Sequence, residues 1–221
     1  MLGLRRLPNL VLVVAPYAVS VPLAFVAADR LGSATATGLV ALVVAPGALL
    51  APALVSAAGG RRADMAGALL LGTLILSFIL VVTQPGSTTL AITAAQAFVV
   101  ASLAAGAMPA IRDRVLMPLR WAGYGGAVIV VMLAAAGRPA IDASAVVVAL
   151  VAVAVTFAAA GLAALALRRD LFSALAGAGT RDPVAAIAVA WATGGSDATA
   201  VPLVSAAILG IVAATLIIRR R

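Results

Sequence analysis

Long apolar runs alternate with brief polar punctuation along this chain. The apolar stretches cover 10–28, 37–58, 64–83, 88–110, 121–137, 143–167, 171–195 and 200–218. Each is close to the roughly 20 mostly apolar residues that a helix needs to cross the hydrocarbon of a bilayer. Punctuation is as short as Asp29-Arg30, Gln84-Pro85-Gly86 and Arg168-Arg169-Asp170. No linker is long enough to separate domains. The pattern predicts one all-α, polytopic membrane domain over 1–221, with about eight transmembrane helices.

Composition narrows the chemistry. The 221 residues are 65% hydrophobic and only 10% charged, whereas soluble domains are about 45–50% apolar and about 25% charged. Every basic residue is Arg and every acid is Asp, with no Lys, Glu, His or Cys. Disulfides, Cys- or His-ligated metals, Cys nucleophiles and His acid–base catalysis are therefore excluded. The seven acids form no metal-like cluster, and there is no Gly-x-Ser-x-Gly elbow or phosphate loop. The expectation is no enzyme, no metal and no cofactor. A net charge of +8 would suit nucleic acid only on a water-soluble face, which the chain has too few polar residues to build.

The charge sorts by side instead. With eight spans and an inside N-terminus, twelve Arg fall on the inner face, among them Arg5, Arg6, Arg61, Arg62, Arg168 and Arg169. Two, Arg30 and Arg138, fall outside, and Arg181 is left unassigned. Positive loops stay cytoplasmic, so the expected location is the cell membrane, multi-pass, with both termini cytoplasmic. The first thirty residues also carry signal-peptide features, with Arg5-Arg6 ahead of an apolar stretch and Val26-Ala27-Ala28 before Asp29. Pro16 and Pro22 inside that stretch fit a retained, kinked span better.

Two of the stretches are interrupted. The second holds Ala45-Pro46-Gly47 and Ala51-Pro52, the seventh Gly177-Ala178-Gly179-Thr180-Arg181-Asp182-Pro183. Proline removes a backbone donor and clashes with the preceding turn, so neither stretch can run as an undisturbed helix. Pro52 and Pro46 lie 9 and 15 residues before Arg61, and Gly179 and Pro183 lie 10 and 14 residues after Arg169. At about 1.5 Å per residue both breaks fall roughly 14–22 Å deep, near the middle of the bilayer. Broken spans of opposite direction and equal depth point to a transporter of inverted repeats. Kinks with no further role are the structural alternative, because Pro and Gly are frequent in membrane helices.

The path candidates are Pro46, Gly47, Pro52, Thr73, Ser77, Gln96, Thr180, Arg181, Asp182 and Pro183, with Thr93 beside them. Arg181-Asp182 is the charged pair placed inside the hydrocarbon, where a charge costs several kcal/mol unless paired or hydrated. Asp182 ahead of Pro183 suits an N-cap, with Arg181 neutralising it. Trp121, Trp191, Tyr17 and Tyr124 read as interfacial anchors.

At the two interruptions the chain resembles the bile acid:sodium symporter superfamily. Ala45-Pro46-Gly47-Ala48-Leu49-Leu50-Ala51-Pro52, then Gly59-Gly60 and Gly72-Thr73, is similar to the family's first crossing helix and the next span. Gly179-Thr180-Arg181-Asp182-Pro183-Val184-Ala185-Ala186-Ile187-Ala188 is similar to the second. The resemblance covers about 37–83 and 170–218. It implies a ten-span fold of two inverted repeats with two discontinuous crossing helices. The present segments match the third to tenth spans, so the first two, which belong to the panel domain, are missing here. A partner subunit or homo-oligomer would complete the panel, or the chain is a fragment. Most side chains that ligate sodium in the family have no counterpart, which leaves Thr73 and Asp182 as weak sodium candidates and proton coupling as the other route. The resemblance implies a secondary transporter that moves a small, anionic organic solute by alternating access. The alternative is a non-transporting membrane scaffold or accessory subunit.

Overall fold

The computed structural model describes residues 7–45, 125–168, 171–175 and 179–218. Among them there is helix and no strand. The elements run α1 (Leu7–Ala28), α2 (Ser33–Val44), α3 (Gly125–Ala136), α4 (Ala143–Ala166), a short α5 (Leu171–Ala174), α6 (Pro183–Gly194), a 3-10 turn (Asp197–Thr199) and α7 (Ala200–Ile218). α4, at 24 residues, is the one described helix that is clearly long and apolar enough to cross a membrane by length and composition. Of the eight expected spans, those at 64–83 and 88–110 lie outside the described residues, as does most of 37–58.

Local signals explain the helix limits. Asp142 caps α4, its Oδ1 accepting from the Ala145 amide at 2.8 Å. The same carboxylate accepts from the Ser144 hydroxyl. These bonds stabilise the charged form, so the exposed Asp142 carboxyl sits below the usual carboxylate range. α1 runs through both Pro16 and Pro22. Each proline lacks the amide that would bind the carbonyl four residues back. The Ser20 hydroxyl donates to the Pro16 carbonyl at 2.5 Å.

Packing uses small side chains. α1 lies across α4 and α2, α2 lies on α6, and α7 closes against α4, α2 and α6. Ala145, Ala149, Ala152, Ala160 and Ala164 form the buried stripe of α4. A Cβ added at Gly38 of α2 would overlap the Ala198 carbonyl oxygen. Close backbone approach of this kind lets helices associate through dispersion where burial from water drives nothing. Large apolar side chains instead face outward, including Val26, Met132, Leu162, Leu165 and Ile211, all at least 60% exposed. Ser20, Thr156, Thr180, Arg181, Asp182, Thr199 and Ser205 are buried.

Candidate functional site

The seventh stretch is broken where its Gly and Pro residues fall. α5 gives way at Leu175 to π-type geometry that recurs at Gly179, and Thr180 to Asp182 leave helix altogether. α6 then starts at Pro183, whose fixed φ and missing amide suit the first helical position. Asp182 is extended (φ −84°, ψ 103°), and its Oδ1 accepts from the Val184 amide at 2.9 Å and the Ala185 amide at 3.3 Å. The expected cap is present, and it is buried, with Asp182 only 1% exposed. Gly179 lies against α4. A Cβ there would come within 3.2 Å of the Phe157 Cα and 3.3 Å of the Ala160 Cβ.

The second stretch stops at the position expected for its first proline. α2 ends at Val44, and Ala45 turns extended (φ −58°, ψ 133°), as the residue before a proline must to avoid its ring. The Ala45 amide still donates back to the Ala41 carbonyl, at 3.1 Å. Pro46, Gly47, Pro52, Thr73, Ser77, Thr93 and Gln96 lie outside the described residues.

The end of α2 and the start of α6 share one neighbour, Tyr17 of α1. The Arg181 guanidinium carbon lies 3.8 Å from the centroid of the Tyr17 ring. The Tyr17 hydroxyl meets the Ala45 carbonyl at 3.4 Å. One side chain thus touches both interruptions. A cavity of about 10 Å³ lies beside this junction, bounded by Leu42 and Val43 of α2, Ala152, Val153, Thr156 and Phe157 of α4, Gly179, Arg181 and Leu209. That is room for roughly one water-sized species.

Arg181 has the least ordinary environment in the described residues. It is 4% exposed, and its Nε and Nη2 have no hydrogen-bond partner. Beside it, the Asp182 Oδ1 accepts from the α6 amides. Thr180 is fully buried, with its hydroxyl 3.4 Å from the Leu175 carbonyl. Pro183 is buried as well.

Tyr17 corrects the anchor reading. At 5% exposure it is a core residue, and its ring supplies the face on which Arg181 stacks. Its position carries the signal: residue 17 lies ten from Leu7 and eleven from Ala28, mid-helix, whereas anchors sit at helix ends. Trp191, near the end of α6 and 42% exposed, keeps a position that suits an anchor. Trp121 and Tyr124 lie outside the described residues. Thr156 is a site residue that the sequence does not flag. It is buried on α4 at the cavity wall, its hydroxyl donating to the Val153 carbonyl at 2.9 Å. Nothing in a run of Ala and Val marks one threonine as facing a cavity.

Comparison of the chain with protein-family models and with curated proteins finds no match to either.

Proposed function

We propose that this chain is a multi-pass membrane protein of the bile acid:sodium symporter kind that carries a small anionic organic solute by alternating access. The observation that carries the reading is Arg181. A cation buried without hydrogen-bond partners on two nitrogens is costly. Here it stands where α5 and α6 separate, beside the end of α2. A broken span is tolerated in a membrane when the freed groups line a binding site. The amide end of α6 adds positive potential beside Arg181. Outward-facing Val, Leu, Ile and Met with inward-facing Ser, Thr, Arg and Asp support a surface solvated by lipid. On this reading the chain has about eight spans with both termini cytoplasmic. The small cavity corresponds to a closed state, so the solute enters only after α2 and α6 move apart.

Asp182 caps α6 through its Oδ1, and proton or sodium coupling through it is a secondary role. The protein works without catalysis. Its test is uptake of labelled organic anions into proteoliposomes by the wild type, Arg181→Ala and Asp182→Ala. We expect Arg181→Ala to abolish uptake. Equal uptake by all three would remove this site. A stable complex with a second subunit and no flux from the chain alone would select the scaffold reading instead.

A further inference from the structure

Tyr17 uses the two halves of its side chain on two different helices. Its ring faces the Arg181 guanidinium, whose carbon lies 3.8 Å from the ring centroid, just ahead of α6. Its hydroxyl donates to the Ala45 carbonyl at 3.4 Å, at the end of α2. Tyr17, Ala45 and Arg181 are all buried. A phenylalanine ring would also stack on a cation. The hydroxyl is therefore not there for Arg181; it serves α2. Ala45 is extended ahead of Pro46, and the carbonyls at a helix end look for donors outside the helix.

The two contacts differ in strength. A desolvated cation on an aromatic face shifts an equilibrium by about thirtyfold or more. A neutral hydrogen bond shifts it by roughly 2- to 12-fold. At 3.4 Å this one is also longer than the usual O–H···O distance of about 2.7–2.8 Å. The hydroxyl contact is the weaker half, and it gives way first.

From these two contacts we infer that Tyr17 is the positioning residue of the site. Its ring holds Arg181 in place, and its hydroxyl latches the end of α2. When α2 and α6 part, the hydroxyl releases Ala45 while the ring stays with Arg181. The latch rests on the separation of α2 from α6 proposed above, and it adds the contact that fastens the closed state.

The test follows opening without needing flux. The chain has no cysteine, so Thr156→Cys puts a single thiol on the wall of the cavity that Leu42, Val43 and Arg181 also line. Its rate of modification by a small water-soluble methanethiosulfonate is measured on the full chain in nanodiscs, where both faces are accessible. Adding Tyr17→Phe keeps the ring and removes the hydroxyl. It should speed modification roughly 2- to 12-fold, because only the closed state loses a bond. Adding Tyr17→Leu instead removes the ring as well. A ring that stays on Arg181 in both states cancels from the balance, so the rate should stay close to that of the Phe variant. A ring contact that broke on opening would add about thirtyfold more. The control is Ala164→Cys, a thiol buried in a separate cluster with Leu12 and Ala174. Tyr17→Phe should leave its rate unchanged, whereas a general loosening of the fold would raise both.

Modification no faster in Tyr17→Phe than in wild type would overturn the latch. So would equal acceleration at Ala164→Cys, or a Leu variant about thirtyfold faster than the Phe variant. Uptake that depends on Arg181, with no acceleration in Tyr17→Phe, would keep the transport reading and remove the latch. The expected acceleration with no uptake would keep the latch and remove transport. A Thr156→Cys thiol that is never modified in any variant would sink both.

Discussion

Two stretches of 24 residues, 143–166 and 171–194, have similar apolar character and opposite behaviour. The first is α4, one helix from its cap to its end. The second contains α5, a departure from helix at Thr180 to Asp182, and α6. Both use the same device at a helix start: an aspartate accepting from amides two or three residues ahead. Asp142 does so exposed to solvent, Asp182 at 1% exposure. The comparison separates helix-making from site-making. A solvent-facing cap starts a helix at almost no cost in desolvation. A buried one marks a place where the backbone has been opened inside the protein, beside a cation that lacks hydrogen bonds on two nitrogens.

The largest expected effect sharpens that contrast. Arg181→Met should raise the stability of the protein by about 1–4 kcal/mol, because an apolar side chain replaces a buried charge with two unsatisfied donors. Transport should vanish in the same variant. Denaturation in a fixed micelle and an uptake assay read the two effects side by side. Lower stability would mean that Arg181 is structural cement, and the interruption would then differ from α4 only in shape.

Next in size is the buried cap. Asp182→Ala should cost about 1–2 kcal/mol, since two buried amides lose their acceptor. Asp182→Asn should recover most of it, because an amide oxygen also accepts. Equal stability of Ala and wild type would show that α6 begins without help from Asp182.

The smallest effect belongs to the exposed cap. The carboxyl of Asp142 lies below its ordinary value, chiefly through the Ala145 amide and then the Ser144 hydroxyl. A depressed carboxylate contributes stability above the unfolded-state value, near 3.9, and loses it as pH falls through the lower folded-state value. Asp142→Ala should therefore narrow its stability gap to wild type only in strong acid, with little change between pH 5 and pH 8. Melting temperatures from pH 8 down into strong acid check the sign. A gap that closes already near pH 6 would refute it.

Several features are legible in the sequence for plain reasons. Proline's missing amide and glycine's freedom act within one turn, so the interruption before Pro183 and the end of α2 before Pro46 can be read without a fold. The Asp182 cap can be read from its neighbour Pro183. The ranges of α4 and α7 follow from apolar length alone. Tyr17 is where the sequence misleads, because aromatic residues in membrane proteins favour the interfaces and only its mid-helix position argues otherwise.

The sequence by itself determined a chain of apolar helices, where two of them must stop, and that Arg181 falls within one of these interruptions. These follow from local backbone chemistry and from the cost of taking polar groups out of water. Only the tertiary structure decided what surrounds that arginine. The ring of Tyr17 comes from a helix more than 160 residues away in the chain. The water-sized space comes from how α2, α4 and α7 settle around Gly179. Contacts at such separation depend on how helices pack, which hydrophobic period and turn chemistry do not encode. There the Asp182 Oδ1 accepts from the amides of α6, and the ring of the distant Tyr17 is a surface on which the Arg181 guanidinium rests.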